Sequence, residues 1–271
     1  MFMISRIKNK LKSLMGSTQE PAESHLGGAF HCPSCGNNVK FFKPLPEYYM
    51  EESRKYGFLY EFSEFETLNL EAYSCPECGA SDRDRLYTLY YSNYCLERGA
   101  ANKTSILDFA PSFANEQFFR RLDQTNYRTT DLMKHDVDDN GVNIENMTNY
   151  EVGQFDFLVC SHVLEHVSNP IKAVKELHRV LKSGHTAIIM VPIMTTITQT
   201  MEDPYHTTEA DRWKHYGQDD HVRMFSKQGF IEVLKSGGFE VTLLTEGDFG
   251  AEVFAKHGID SSSVLYTVTK P

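Results

Sequence analysis

Four of the six cysteines stand as two near-identical knuckles, Cys32-Pro-Ser-Cys35-Gly and Cys75-Pro-Glu-Cys78-Gly. A two-residue gap lets both thiolates of a knuckle face one ion, and Pro and Gly permit the tight turn. Two knuckles complete a closed four-thiolate tetrahedron, the donor set of structural zinc, with no open position for catalysis. The other readings are four buried thiols or a redox dithiol, although redox chemistry needs only one such pair at a helix N-terminus. Cys95 and Cys160 have no visible partner and read as packing residues. A second concentration of reactive side chains lies within residues 194–223, where His206, His215, Asp219, Asp220 and His221 are interspersed with Arg212, Trp213, Tyr216 and Arg223. Histidine near neutrality can accept a hydroxyl proton, which makes His215, His221 and its neighbour Asp220 candidates for general-base work. His206 and Arg223 could bind an acceptor's polar groups, and Trp213 and Tyr216 could stack on a sugar or ring. The competing reading is a solvated loop whose charges pair among themselves.

These groups need a scaffold, and the chain supplies one from residue 104 onward. Short apolar runs alternate with amphipathic stretches: strands are expected at 105–110, 126–132, 155–161, 185–193, 239–245 and 263–269. Helices are expected at 83–98, 115–122, 170–181 and 226–236, the third closed by Gly184. Such alternation implies a parallel sheet covered on both faces. In open α/β sheets a ligand binds outside the carboxyl ends of the strands, so the turn Ile106-Leu-Asp-Phe-Ala-Pro-Ser112 is the first place to look. Asp131 ends the second strand about twenty residues further on, the spacing at which a carboxylate reaches ribose hydroxyls. The same Asp is also an ordinary turn residue. The long polar connection at 194–223 breaks the rhythm, and connections of that length inside a compact domain are usually functional. His162 and His166 lie on the turn after the fourth strand. His162 is the better placed for a pocket, while Glu165 and His166 orient the loop and His178 is structural.

Charge and composition exclude several classes. With 27 Lys+Arg against 37 Asp+Glu the formal net charge is −10, which argues against broad nucleic-acid binding through phosphate neutralisation. Hydrophobic residues at 41% and charged residues at 24% describe a globular chain rather than a disordered one. No apolar run is long enough to span a bilayer. Paired cysteines and the lack of a signal-peptide pattern lead us to expect a reducing, cytoplasmic location. Residues 1–16 set Ile4, Ile7, Leu11, Leu14 and Met15 among Arg6, Lys8, Lys10 and Lys12. This basic amphipathic helix could touch the inner membrane face weakly, or pack on its own domain or a partner.

The run Phe155-Asp-Phe-Leu-Val-Cys-Ser-His-Val-Leu-Glu-His-Val167, followed by Lys175-Glu-Leu-His-Arg-Val-Leu-Lys-Ser-Gly184 and a hydrophobic strand, resembles the class I S-adenosylmethionine-dependent methyltransferases of the type 11-like kind. The resemblance covers about residues 104–246. The knuckles, the stretch Cys78-Gly-Ala-Ser-Asp-Arg-Asp-Arg85 and the stretch His215-Tyr-Gly-Gln-Asp-Asp-His-Val-Arg223 resemble, more narrowly, a bacterial group of zinc-ribbon methyltransferases. The resemblance implies an α/β fold with a Rossmann-like seven-stranded sheet and a small N-terminal zinc-ribbon module. It implies three parts: residues 1–24 as basic segment and linker, 25–100 as ribbon and connecting helix, and 101–271 as the methyltransferase domain with 194–225 inserted for substrate. It further implies that Asp108, Ala110 and Pro111 line the methionine and ribose part of the cofactor. Asp131 would take the ribose hydroxyls, Leu132 would lie beside the adenine, and Asp136 would accept from its amino group. Ser161 and His162 would approach the methionine end. The glycine-rich turn of the family is replaced here by Phe109-Ala-Pro-Ser112. The expected activity is O-methylation of a small-molecule or glycan-type acceptor, with S-adenosylmethionine and a structural zinc ion bound. An RNA base methyltransferase with Arg83, Arg85 and Arg98 as a basic face is the alternative enzyme, and a non-catalytic zinc-ribbon scaffold the alternative outside enzymes.

Overall fold

The computed structural model describes residues 29–98 and 103–271. The basic amphipathic helix and linker expected at the start lie outside those residues. Among the described residues no helix is long and apolar enough to cross a membrane.

Two short antiparallel strands, β1 (Phe30–His31) and β2 (Asn38–Val39), flank the first knuckle. Helix α1 (Glu47–Tyr56) and a 3-10 turn at Phe62–Glu64 follow, neither of which the sequence pattern announced. After the second knuckle α2 (Asp82–Arg98) leads into the sheet. That sheet is built from β3 (Thr104–Phe109), β4 (Thr125–Asp131), β5 (Asp139–Asn140), β6 (Phe155–Ser161), β7 (Leu181–Met190), β8 (Glu240–Leu244) and β9 (Leu265–Thr269). Its seven strands run in the order β5-β4-β3-β6-β7-β9-β8. The β3–β7 strands are mutually parallel, whereas β9 runs antiparallel to both β7 and β8. The sheet is thus mixed at one edge rather than wholly parallel, because no helix long enough for a crossover returns the chain from β8 to β9. The intervening α7 (Glu246–Phe249) and α8 (Ala251–Lys256) are single short turns.

Helices α3 (Phe113–Arg120), α4 (Pro170–Val180) and α6 (Lys227–Ser236) start where capping residues dictate. Ser112, Asn169 and Ser226 each accept a backbone N–H three residues on. Pro170 adds a pre-set first position to α4. The apolar stripe Ala173, Val174, Leu177 and Val180 of α4 is buried against the sheet, whose central strands β6 and β7 carry the fully buried Phe157, Leu158, Val159, Ile188 and Ile189. Gly184 does not close α4. The helix ends at Val180, and Gly184 lies within β7 with φ +73°, donating its N–H to the Lys270 carbonyl at 2.7 Å across a bulge in the β6–β7 register.

The cysteine module does not hang free of this sheet. The Arg85 side chain, wholly buried, donates to five carbonyls: His257 at 2.7 Å, Tyr73 at 3.2 Å, Ala80 at 2.9 Å, Ala72 at 2.5 Å and Gly258 at 2.9 Å. Its guanidinium also lies 3.8 Å over the Phe42 ring. One side chain thereby ties the second knuckle, the segment before it and the end of α8 together. Position 258 must be glycine, since a Cβ there would stand 2.4 Å from a Phe42 ring carbon and φ is +62°. Arg85 is therefore closed off from any nucleic-acid partner. We expect Arg85→Met to lower stability by on the order of 3–5 kcal/mol, since a buried clamp is lost and its carbonyls are stranded. Arg85→Lys should recover only part of this. Urea unfolding measures it, and a loss below about 1 kcal/mol would show the clamp to be dispensable.

Candidate active site

The carboxyl ends of neighbouring strands β3 and β6 carry the two non-glycine residues with positive φ among the described residues, Ala110 at +50° and His162 at +56°. Left-handed backbone is costly for a residue with a Cβ and recurs at ligand sites. Each is held by the next strand: Ala110 N–H donates to the Thr130 carbonyl at 2.8 Å and His162 N–H to that of Met190 at 2.9 Å. Ala110 thus keeps the conformation that a glycine would supply, which accounts for the departure from a glycine-rich turn.

Around Ala110 the polar groups are fixed. Asp108 is buried on β3 and accepts from the Tyr127 hydroxyl at 2.8 Å. Burial pushes its carboxyl up to about 8, with Asp84 and Glu116 adding to the rise and Tyr127 and Lys134 opposing it. Pro111 leads into Ser112, whose hydroxyl caps α3 and donates to Asp84 Oδ1 at 3.0 Å. At the end of β4, Asp131 Oδ1 accepts the N–H groups of Met133 and Lys134 at 2.7 and 2.9 Å, leaving its second oxygen for a ligand. The Lys134 ammonium reaches back to the Pro111 carbonyl at 3.1 Å, so the two turns face one another. Three apolar side chains are exposed on these turns: Phe113 at 67%, Leu132 at 54% and Met133 at 40%. A carboxylate beside uncovered apolar surface fits a nucleoside, whose ribose needs an acceptor and whose base needs an apolar wall. Asp136 is exposed beyond them, while its neighbours Asp138 and Asp139 pair with Arg120 and Arg128. Ser161 points the other way, its hydroxyl 2.8 Å from that of Tyr87 on α2.

On the far side of His162 a cavity opens toward β7 and β9. Its walls are mostly apolar and aromatic, with Tyr49, Phe62, Tyr73, Ile193, Tyr216 and Tyr266 among them. His162, His221 and Arg83 also face it. The half-buried Arg83 guanidinium makes no hydrogen bond or ion pair with any described residue. Behind His162 the carboxylate of Glu165 is 1% exposed, 3.4 Å from His162 Nδ1, 3.7 Å from His166 Nε2 and 3.9 Å from His221 Nε2. Burial raises Glu165 to about 7 and holds His221 well below the usual histidine range.

The inserted segment divides in two. His221 and Tyr216 reach the cavity, and Asp220 backs His166, its carbonyl 3.2 Å and its carboxylate 3.5 Å from Nδ1. Trp213 instead is buried on α5 (Glu209–Tyr216), stacked on Tyr56 and edge-on to Tyr48, where it anchors the segment to α1. Arg223, 1% exposed, grips Glu202 and the carbonyls of Leu164, Val167 and Ser168. That engagement locks the loop after β6 and leaves no donor for an acceptor. His206 and His215 stack on each other at 3.9 Å away from the cavity wall, and His206 bonds the Tyr216 hydroxyl. Cys95 is exposed rather than packed, whereas Cys160 is buried. Glu165 and Arg83 are the residues that spacing undervalued, since only the fold brings Arg83 to the cavity wall and Glu165 behind His162.

The four knuckle thiols converge, Cys32 to Cys78 at 3.7 Å and Cys35 to Cys75 at 4.0 Å, far beyond a disulfide bond. Sulfurs bound to one zinc at about 2.3 Å stand roughly 3.8 Å apart, so the set fits that ion.

A mixed seven-stranded sheet with parallel strands β3 to β7 and helices packed on it is a Rossmann-like fold. Residues 80–244 match the family model described as a methyltransferase domain, and the chain belongs to that family. Among solved structures, a putative methyltransferase from Bacillus halodurans C-125 is similar at 18% identity and a TM-score of 0.39, covering 65% of this chain and 97% of that one. The CurJ carbon methyltransferase is similar at 14% identity and 0.43, covering 68% of this chain, which spans about half (52%) of the other's length. Phosphoethanolamine N-methyltransferase 2 of Haemonchus contortus, solved with S-adenosyl-L-methionine, is similar at 12% identity and 0.40, covering 67% and 52%. A search of curated proteins found no significant match.

Two measurements address the nucleoside end. Asp131→Ala should weaken S-adenosylhomocysteine binding at least about tenfold by calorimetry, roughly 1.4 kcal/mol, while Asp123→Ala on the exposed surface changes nothing. Equal affinities would remove Asp131 from the site. Because the folded state holds the Asp108 proton up to about pH 8 and the unfolded chain releases it near 4, the native state binds more protons between those values. Stability contributed by this group is therefore complete below about 4 and lost as pH rises toward 8. Asp108→Asn should flatten that fall in urea-unfolding curves taken from pH 5 to 8, and an unchanged slope would count against it.

Proposed function

We propose that the chain methylates a hydroxyl of a small-molecule or glycan-type acceptor that carries an anionic group. The supporting observation is the aromatic-walled cavity beside His162, with the unpaired guanidinium of Arg83 facing it. S-adenosylmethionine, when bound, supplies a methyl group on a positively charged sulfur. Asp131 and the Ala110 turn hold the nucleoside at the ends of β4 and β3, on one side of His162. The cavity holds the acceptor on the other, so the hydroxyl and the methyl meet across that residue. Orientation in a dry cleft lowers the barrier to such an in-line transfer. His162 receives the hydroxyl proton as the oxygen–carbon bond forms and the carbon–sulfur bond breaks. Arg83 recognises a carboxylate or phosphate, a geometry a planar guanidinium suits.

Release of S-adenosylhomocysteine over a panel of hydroxylated compounds, in matched pairs with and without a carboxylate or phosphate, tests this. The anionic member of each pair should be preferred. Arg83→Met should raise its KM about tenfold or more with kcat little changed, and His162→Ala should cut kcat about a hundredfold. Methyl transfer confined to nitrogen or carbon acceptors, or indifference to Arg83→Met, would overturn the reading.

A further inference from the structure

Glu165 presents a problem of charge. Both its oxygens are buried and neither has a hydrogen-bond partner. Three imidazole nitrogens face them, Nδ1 of His162 at 3.4 Å on the cavity side and, on the inner side, Nε2 of His166 at 3.7 Å and Nε2 of His221 at 3.9 Å. In the two inner rings the other nitrogen is already committed. His221 Nδ1 lies 3.1 Å from the Tyr216 carbonyl and His166 Nδ1 3.2 Å from the Asp220 carbonyl. A carbonyl only accepts, so each Nδ1 carries the hydrogen and each Nε2 turns a lone pair toward the carboxylate. Lone pairs from two rings and a carboxylate thus point into one gap.

Such an arrangement is repulsive unless a cation fills the gap. A shared proton would draw donor and acceptor to within about 3.2 Å, and the two inner rings stand half an ångström or more beyond that. Two atoms each about 2.1 Å from one metal ion stand roughly 3.4 Å apart at a tetrahedral angle, and toward 4 Å at a wider one. The Glu165, His166 and His221 ligand atoms lie within 4.8 Å of one another, the only described set besides the four thiols to do so. Carbonyls fixing the second ring nitrogen are the usual outer shell of metal-bound histidine. Asp220 adds a carboxylate 3.5 Å from His166 Nδ1 on that outer side.

We propose that Glu165, His166 and His221 bind a divalent ion of the zinc, cobalt and nickel class, whose ligand preference is imidazole with carboxylate. Two of the ligands come from the loop after β6 and one from the inserted segment. The ion therefore staples the acceptor-side wall to the sheet directly behind His162. It is separate from the four-thiolate set, with which it shares no residue.

Cobalt titration of the stripped full-length protein tests this without any acceptor. Thiolate-bound cobalt gives a near-ultraviolet charge-transfer band, and histidine–carboxylate cobalt gives only weaker visible bands. The expected result is two ions per chain, of which one adds visible bands and no charge-transfer intensity. His166→Gln and His221→Gln should each lose that second ion while keeping the thiolate band, which certifies folding around the knuckles. A histidine–carboxylate ion that is absent from the wild type at saturating cobalt, or retained in both variants, would overturn the proposal. Because the readout is metal stoichiometry, it stands or falls separately from the acceptor assignment.

Discussion

Parallel strands end with their backbone groups pointing at whatever lies beyond, and the chain must turn sharply there or block its own site. Here the turn is made at Ala110 and His162, both forced into left-handed backbone and each pinned by one hydrogen bond to the adjacent strand. Everything else in the site depends on those two turns. The first sets the turn after β3 against the Asp131 turn through Lys134 and the Pro111 carbonyl; the second puts an imidazole on the cavity wall. A glycine would adopt either conformation at no steric cost. Alanine keeps the opening small at one, and the other needs the histidine side chain itself.

Helix α2 connects this edge to the cysteine module through four consecutive-face contacts. Arg83 opens into the cavity, Asp84 receives the Ser112 hydroxyl, Arg85 clamps the knuckle, and Tyr87 meets Ser161. The module also adds backbone pairing to the chain after β7, from Glu66 N–H to the Ile193 carbonyl and from Thr195 N–H to that of Glu64. Half of the cavity wall, including Tyr49, Phe62 and Tyr73, therefore comes from residues before the sheet begins. The module thereby supplies a pocket wall that the sheet edge does not build from its own loops.

Local pattern carried most of the architecture. Capping residues and apolar periodicity locate α3, α4 and α6 within two residues, and the repeat of the knuckles foretells the convergence of their thiols. The strand β5 escaped because two residues have no period, and α1 because none of its residues is buried. The inserted segment was legible as a functional region but not residue by residue. Arg223 and His221 look alike in sequence, as polar residues two apart in a polar stretch. Arg223 is spent on carbonyls nearly sixty residues away, whereas His221 keeps one nitrogen directed at Glu165. Only the tertiary fold sets which carbonyls lie in reach, and a buried guanidinium with many acceptors becomes structure rather than recognition.

The same reasoning distinguishes Arg83 from Arg85, separated by a single residue. On a helix they project about 200° apart. One side of α2 meets the carbonyl-rich junction of knuckle and α8, which satisfies every donor of Arg85. The other faces the cavity beside the rings of Tyr49 and Tyr73, and the Asp82 and Asp84 carboxylates of its own helix favour the charged guanidinium there. A guanidinium whose every N–H has a carbonyl is closed, whereas one charged by its own helix and bonded to no described side chain keeps its donors for what enters the cavity.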